Sequence, residues 1–366
     1  RGTRTRTWGR RFARAALRRR GGRCGRIIRK MRVRTLGTLC LIALCGLILP
    51  GPAAAQCEPD GDTRFVCGPI SPEDLALVPD TPWVMVASWE DDGYLSAADR
   101  RDASTVRLFP TAMSQERHDT ATYVDCPGMV TDGFRAHGIS LRPGGDGTHD
   151  LYVVRHGARE AVEVFEVDAR GATPSLTWTG CVVAPEGLGL NAVVALPDGG
   201  FAATSPRTGD IWEWRADAGW VRVPGSEDIG PNGLEVSADG RWFLVAGYAS
   251  QSVIKLSRGQ TPVSQDRVEV GFNIDNVHWA PDGTLLAAGH TAPTRTRVGE
   301  CIARRTCEGI VSFVARVDTE AMTSEEIFRY PTNDWVLLGT SAIEVGDELW
   351  VGQVAGGTRI ARVPLR

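Results

Sequence analysis

A short segment recurs three times in this chain, and its spacing limits the folds that the chain can adopt. In each copy an Asn stands at the front of a short apolar strand, and a tight turn that ends in Asp-Gly follows. The copies are LGLNAVVALPDG (188–199), GPNGLEVSADG (230–240) and GFNIDNVHWAPDG (271–283). Their turn residues Asp198, Asp239 and Asp282 are 41 and 43 residues apart. Repeats of about 40–50 residues that contain several strands are typical of the blades of a β-propeller.

Asparagine is rare in this chain, which makes its position in the repeat informative. Five of the 366 residues are Asn, and three of them, Asn191, Asn232 and Asn276, stand at the front of a repeated strand. An earlier segment, SPEDLALVPDTPW (71–83), has the same layout with the acidic pair Glu73-Asp74 in place of the amide. Side chains whose oxygen atoms can bind a metal ion therefore recur at one point of successive repeats.

The N-terminal residues differ from the rest of the chain. Residues 1–30 are rich in Arg and Gly and contain no acidic residue. Residues 31–55 combine a basic start, the apolar run Leu36–Leu49 and a final Ala-Ala-Ala, the pattern of a secretory signal peptide. We predict cleavage after Ala55 and interpret residues 1–30 as an upstream extension outside the native protein. Two alternatives remain open: a basic arm that binds nucleic acid, and an apolar segment retained as an anchor, although it is short for a membrane span.

Removal of residues 1–55 changes the charge of the protein. That segment holds 15 of the 41 Lys and Arg and none of the 44 Asp and Glu, so the remainder carries 26 basic and 44 acidic residues, a formal net charge of −18. Such an acidic protein is not expected to bind nucleic acid. We expect an exported protein, secreted or periplasmic, that acts as a monomer on a small molecule and does not insert stably into a membrane.

Six of the nine Cys lie after the predicted cleavage site. An even number of Cys in an exported chain indicates disulfides. Six Cys allow 15 pairings, and we predict the three that join near neighbours or flank one blade: Cys57–Cys67, Cys126–Cys181 and Cys301–Cys307.

Short apolar strands, frequent Gly and Pro, and few apolar residues at helical spacing indicate one all-β domain over residues 56–366. The repeat favours a six-bladed β-propeller over a barrel or a sandwich. The segment Cys57–Cys67 is predicted to add the strand that closes the ring. We predict three strands per blade, with first strands that begin at Glu73, Phe134, Asn191, Asn232, Asp275 and Ser341.

The innermost strands of a propeller line its central channel, so residues at the start of successive inner strands converge on the axis. Two carboxylates and three amides make a set of hard oxygen ligands suited to calcium. A simpler interpretation is that Asn and Asp at strand starts only form Asx-turns. The predicted calcium ligands are Glu73, Asn191, Asn232, Asp275 and Asn276.

From about Pro72 onward the chain resembles the paraoxonase/arylesterase family, within the six-bladed superfamily of gluconolactonases and strictosidine synthase-like proteins. The resemblance rests on PEDL (72–75), HGIS (137–140), YVVRH (152–156), LNAVVAL (190–196), PNGLEVSADG (231–240) and IDNVHWAPDG (274–283). It implies a catalytic calcium held by the five residues just named, and a His dyad formed by His137 and His156. It also implies a second calcium at Asp74 and the carbonyl of Ile139, but Ala192 replaces a third ligand of that site.

The resemblance and the composition lead to one functional hypothesis with two rivals. The sequence has no G-x-S-x-G elbow, H-E-x-x-H helix or phosphate-binding glycine loop. We expect a calcium-dependent hydrolase of lactones or aryl esters, in which His137 activates water and His156 supports it. The alternatives are a sugar lactonase of the gluconolactonase type and a non-catalytic propeller that binds a partner. We assign His278 to packing, and His118, His149 and His290 to the surface or to loops.

Overall fold

The computed structural model describes residues 57–365, in which six sheets form a six-bladed β-propeller. The predictions for residues 1–30 and 31–55 lie outside the described residues. In each blade one strand is innermost, and it contacts the innermost strands of the two neighbouring blades. From blade one to blade six these strands are β2 (Pro72–Leu77), β7 (Phe134–Arg142), β11 (Val193–Ala195), β15 (Pro231–Val236), β19 (Asn273–Trp279) and β23 (Gly339–Val345).

The remaining strands run outward from these inner strands. Blades one and two contain β3 (Trp83–Ser88), β4 (Leu95–Asp99), β5 (Thr105–Phe109), β6 (Gln115–Glu116), β8 (Thr148–Gly157), β9 (Ala161–Asp168) and β10 (Ser175–Val183). Blades three and four contain β12 (Phe201–Ser205), β13 (Asp210–Arg215), β14 (Gly219–Arg222), β16 (Trp242–Gly247), β17 (Ser252–Ser257) and β18 (Gln265–Glu269). Blades five and six contain β20 (Leu285–Thr291), β21 (Val311–Asp318), β22 (Thr323–Pro331), β24 (Glu348–Gln353), β25 (Arg359–Pro364) and β1 (Arg64–Cys67).

The predicted blade order is confirmed, and each inner strand begins within two residues of its predicted start. The ring closes as predicted, because β1 pairs antiparallel with β25, and Phe65 lies opposite Ala361. All three predicted disulfides are present: Cys57–Cys67, Cys126–Cys181 and Cys301–Cys307.

Two features differ from the sequence prediction. Blades one to five each contain at least one strand that the sequence prediction missed: β4, β10, β14, β18 and β22, with β6 in addition in blade two. Strand β18, for example, exposes four of its five residues, so it has no apolar alternation to reveal it. The insertion in blade five also forms a helix, α1 (Arg295–Arg304), whose N-cap Thr294 accepts a hydrogen bond from the amide of Arg297. Only Cys301 is buried on this helix, so its apolar pattern is weak.

The core lies mainly between adjacent blades, as flat sheets packed around an axis require. Separate apolar clusters join blades three and four, four and five, five and six, and six and one. This packing fixes each inner strand against its neighbours, and the inner strands carry the candidate site.

Candidate metal centre

Five of the six inner strands contain a β-bulge, and each bulge falls on the predicted site residues or on their equivalents. The pairing register shifts between Pro72 and Asp74, Ala136 and Ile139, Pro231 and Leu234, Ile274 and Val277, and Gly339 and Ala342. A bulge adds one residue to a strand and redirects its side chain. The bulged segments contain Glu73, His137, Asn232, Asp275, Asn276, Thr340 and Ser341.

Blade three differs because Asn191 lies two residues before β11, outside the regular ladder. Its backbone is nevertheless fixed: the amide of Asn191 donates to the carbonyl of Thr204 at 3.0 Å, and the carbonyl of Asn191 accepts from Gly138 at 3.2 Å. The hydroxyl of Thr204 donates to the carbonyl of Asn232 in the next blade at 2.6 Å. Blade three is therefore tied on both sides at the level of the site.

Two glycines explain how closely the inner strands approach at the bulges. A Cβ on Gly138 would lie 2.7 Å from the Cα of Ala192, and one on Gly233 would lie 2.6 Å from the Cα of Asn276. Both obstacles are backbone atoms, which cannot swing away as a flexible side chain can. Glycine at these positions allows neighbouring inner strands to bring their side chains to one point on the axis.

The structure brings four of the five predicted calcium ligands and His137 to one cavity, and the fifth, Asn276, is bonded to one of the four. The amide nitrogen of Asn276 donates to Glu73 Oε1 at 2.8 Å, and Nε2 of His137 lies 3.8 Å from the same oxygen. Nδ2 of Asn191 lies 3.4 Å from Nε2 of His137. The cavity has a volume of about 220 Å³ and is lined by Glu73, Trp89, His137, Asn191, Asn232, Tyr248, Asp275, His290, Val298, Ile302, Leu338, Thr340 and Val354.

Two buried oxygens in this cluster have no hydrogen-bond partner: Oε2 of Glu73 and Oδ1 of Asn232. An unpaired buried acceptor is costly, and a cation satisfies it. The carboxyl groups of Glu73 and Asp275 also have raised pKa values. Burial, followed by the neighbouring Asp74 and Asp275, raises the pKa of Glu73 well above its usual range. Burial and the charge of Asp74 raise the pKa of Asp275 to about 7. The oxygen-rich set therefore fits a hard cation such as calcium.

The cluster is unusual as a metal site because three of its five predicted ligands are amides. Across residues 57–365, no group of three or more His, Cys, Asp or Glu side chains has an arrangement that could hold a metal ion. The fit to a cation thus rests on two carboxylates, the amide oxygens and the two unpaired acceptors.

A chain of three side chains leads away from the cavity. Nδ1 of His137 lies 2.8 Å from Nε2 of His156, and Nδ1 of His156 lies 2.8 Å from Oε2 of Glu160. Because the carboxylate accepts, His156 carries its proton on Nδ1 and its Nε2 accepts from Nδ1 of His137. Nε2 of His137 is therefore unprotonated and accepts the long hydrogen bond, 3.4 Å, from the side-chain amide of Asn191. The other oxygen of Glu160 accepts from the amide of Leu190 at 2.7 Å, which holds the carboxylate in place.

His137 is poised as a neutral base. Burial, together with the nearby His156 and Arg135, lowers its pKa well below the usual value. A neutral imidazole with an unprotonated nitrogen is the form that accepts a proton. Glu160 was not identified from the sequence, although its position four residues after His156 offered a signal.

The region of the second predicted calcium is occupied by protein donors. Oδ1 of Asp74 accepts from the amide of Leu75 and from Nε2 of His278, at 2.9 and 2.7 Å, and Oδ2 accepts from the amide of Ile139 at 2.8 Å. Nδ1 of His278 lies 3.4 Å from Glu235. Burial lowers the pKa of His278, but the two carboxylates outweigh it and raise that pKa to about 10.

An imidazolium held between two carboxylates leaves no free oxygen pair for another hard cation. The residues at Asp74 and Ile139 therefore do not fit a second calcium ion. That site stays a prediction and does not enter the function proposed below.

The assignment of His149 and His290 to the surface is corrected by the structure. His149 is buried, and its Nδ1 accepts a hydrogen bond from the amide of Gly144. His290 is also buried and lines the candidate cavity beside Tyr248. His290 lies near the end of β20 and Tyr248 directly follows β16, positions that no repeated sequence pattern marks. His118 is half-buried, and its ring centroid lies 5.0 Å from that of Trp178.

No protein-family model matches this chain, and no curated protein matches it. Its fold is similar to that of a luciferin-regenerating enzyme, with a TM-score of 0.51, 12% identity and coverage of 82% of this chain and 94% of that one. A gluconolactonase from Xanthomonas campestris gives a TM-score of 0.51, 16% identity and coverage of 86% and 98%. A putative gluconolactonase gives a TM-score of 0.50 and 14% identity, with coverage of 86% of this chain and 98% of that one. At identities this low, the structural similarity establishes a shared six-bladed fold and nothing beyond it.

Two further observations concern the protein's location. The three disulfides are consistent with an extracytoplasmic protein. Within residues 57–365, no helix is long and apolar enough to cross a membrane.

Proposed function

We propose that this protein is an exported, calcium-dependent hydrolase of lactones or aryl esters, similar to paraoxonases. The observation that carries the proposal is the ring of bulges. At the level of these bulges, two unpaired acceptor oxygens and the unprotonated Nε2 of His137 lie around one cavity. Distant likeness to gluconolactonases agrees with a propeller hydrolase at the level of fold, and fold alone does not determine function.

The proposed ligands come from four blades: one, three, four and five. When bound there, calcium would supply Lewis-acid polarisation of the substrate carbonyl. The chain's own contribution is to hold the ligand oxygens in position before substrate arrives, through bonds such as that from Asn276 to Glu73. The proposed calcium ligands are Glu73, Asn191, Asn232, Asp275 and Asn276.

His137 is the proposed general base. Its Nε2 accepts a proton from the attacking water, while its Nδ1 proton moves toward Nε2 of His156, 2.8 Å away. The Nδ1 proton of His156 is shared with Glu160, which stabilises the positive charge that forms on the pair. The two histidines and the carboxylate therefore move one proton away from the cavity. His137 is catalytic in this scheme, and His156 and Glu160 position and support it.

The test is hydrolysis of a substrate panel by the purified protein with and without a chelator. The panel contains an aliphatic lactone, an acyl-homoserine lactone, gluconolactone and phenyl acetate. We expect turnover to be lost with chelator and restored by calcium. Asn232→Ala should lower kcat/KM by at least about 10²-fold, because it removes a proposed ligand. Gln265→Ala, which removes an exposed amide in the same blade, is the matched control and should leave turnover unchanged.

His137→Gln separates the base from the metal centre. We expect it to lower kcat by about 10²- to 10⁴-fold while calcium still raises the melting temperature. Turnover that is indifferent to chelator would overturn the proposal. Hydrolysis of gluconolactone alone would favour the sugar lactonase. Calcium binding without turnover of any substrate in the panel would favour a calcium-stabilised binding scaffold.

A further inference from the structure

A second hydrogen-bonded pair, Tyr248 and His290, lines the same cavity and has no part in the scheme above. The hydroxyl of Tyr248 lies 2.8 Å from Nε2 of His290, and the two rings meet edge to face with centroids 5.6 Å apart. His290 is 1% exposed. Both residues share the cavity with the proposed ligands and with His137.

The pair lies across the axis from the proposed base. His137 is on β7 in blade two, and His290 is near the end of β20 in blade five. Blades two and five are three positions apart in a ring of six, so they face each other. Tyr248 directly follows β16 in blade four, next to blade five. A substrate in the cavity would therefore have the base on one side and the phenol on the other.

The hydrogen bonds fix the orientation of the pair. Nδ1 of His290 lies 3.2 Å from the carbonyl of Gly339, so Nδ1 carries the proton and Nε2 accepts from the hydroxyl of Tyr248. The side-chain amide of Asn273 donates to the carbonyl of Tyr248 at 2.8 Å and holds its backbone. Burial lowers the pKa of His290 to about 4 and raises that of Tyr248. The imidazole is therefore neutral and the phenol keeps its proton.

Ester hydrolysis needs a proton donor as well as a base when the leaving group is an alkoxide. His137, His156 and Glu160 account for the proton removed from water, but they lie on the other side of the cavity. We infer that Tyr248 is a further catalytic residue, a general acid that protonates the leaving oxygen, and that His290 holds the phenol at the cavity wall. The hydroxyl proton points to Nε2 of His290 in the free protein and turns to the leaving oxygen as charge develops there, because an alkoxide is a stronger acceptor than a neutral imidazole. This inference rests on the proposed function.

The step balances in atoms and electrons. The C–O bond to the leaving group breaks, and its electron pair goes to the leaving oxygen. That oxygen takes the proton of the Tyr248 hydroxyl, so an alcohol forms and Tyr248 becomes a phenolate. The newly formed carboxylic acid returns a proton to the phenolate and departs as a carboxylate. No oxidant, reductant or further reactant is needed.

The experiment compares two leaving groups in the full protein with calcium: δ-valerolactone, which expels an alkoxide, and 4-nitrophenyl acetate, which expels a stable phenolate. Tyr248→Phe removes the donor and retains the ring. We expect kcat/KM to fall by about 10²-fold for the lactone, the usual contribution of acid–base catalysis. We expect a change of less than about threefold for the aryl ester, because its leaving group needs no proton. Tyr152→Phe, at a buried tyrosine outside this cavity, is the matched control and should change neither rate.

His290 is tested as a positioning residue. His290→Gln can still bond the phenol and should retain more lactone activity than His290→Leu, while both should spare the aryl ester. Equal losses of Tyr248→Phe on both substrates, with an unchanged melting-temperature rise on adding calcium, would overturn the inference and leave the proposed function intact. A wild-type protein that hydrolyses neither substrate would overturn the proposed function, and the inference with it.

Discussion

At the residue scale, the candidate site concentrates negative charge that nothing within the described residues neutralises at the cavity. Glu73 is buried there and Asp275 is half-buried. Burial and neighbouring carboxylates raise the pKa of both groups. The nearest buried imidazolium, His278, is held by Asp74 and Glu235. A cation with oxygen preference is the partner that these carboxylates lack.

Protons should therefore compete with calcium near neutral pH. Burial and then Asp74 raise the pKa of Asp275 to about 7, so below that pH its carboxyl is protonated in the calcium-free protein. Because calcium needs both carboxylates and the pKa of Glu73 is also raised, the dissociation constant should rise at least about tenfold per pH unit as the pH falls below 7. Titration calorimetry at pH 6, 7 and 8 in buffers of different ionisation enthalpy would measure both the affinity and the proton release.

Two variants test the origin of that dependence. Asp275→Asn should weaken calcium binding and flatten its dependence on pH around 7. Asp266→Asn, at an exposed residue of blade four, should match the wild-type profile. An affinity that does not change between pH 6 and 8 would contradict the assignment of Asp275 as a ligand.

At the element scale, the β-bulges of the inner strands assemble the site. A regular inner strand would point alternate side chains toward opposite faces of its blade. The extra residue in β2, β7, β15, β19 and β23 redirects side chains toward the axis at one common level. The bulges also lie in close contact, because Gly138 and Gly233 allow neighbouring inner strands to approach each other.

Gly233→Ala tests the close approach of β15 and β19. Its Cβ would meet the Cα of Asn276 at 2.6 Å and the carbonyl oxygen of Asp275 at 2.7 Å, so the two strands must separate. We expect a loss of about 1–3 kcal/mol in the free energy of unfolding and weaker calcium binding. Urea unfolding and calcium titration would measure the two effects. Gly145→Ala, where an added Cβ meets nothing within 4 Å, is the control. An unchanged calcium affinity in Gly233→Ala would contradict the role of this contact.

The sequence predicted the inner strands better than the outer strands and better than the full site. Asn232 and Asp275 were found because they recur in phase with a strand and a turn. Their placement on bulges was not foreseen, because one extra residue leaves no mark in an apolar pattern. Tyr248, His290 and Glu160 were missed for another reason: each belongs to one blade only, so no repeat points to it. Of the missed strands, β18 and β22 are mostly exposed and show little apolar alternation, whereas β4 is buried along its whole length and has none to show.

At the scale of the whole molecule, the ring depends on one N-terminal strand. Strand β1 is the first strand of the described chain, and blade six is complete only when the last strand, β25, pairs with it along its full length. Its two buried side chains face different neighbours: Phe65 packs in the cluster of blades five and six, and Val66 in that of blades six and one. The strand therefore fills the last interface of the ring.

Removal of residues 57–67 should open the ring and destabilise the whole propeller. Burial of a large apolar side chain contributes roughly 1.5–3 kcal/mol, so loss of Phe65 and Val66 should cost about 3–6 kcal/mol, a large part of the total stability of a typical domain. The double variant Cys57→Ser/Cys67→Ser keeps the strand and should lose less stability.

If calcium binds residues of four blades, it opposes opening of the ring, so saturating calcium should restore part of the lost stability in both variants. Urea unfolding with and without calcium measures this. Equal stabilities of the deletion and the double-Cys variant would mean that the disulfide, and not the strand, closes the ring.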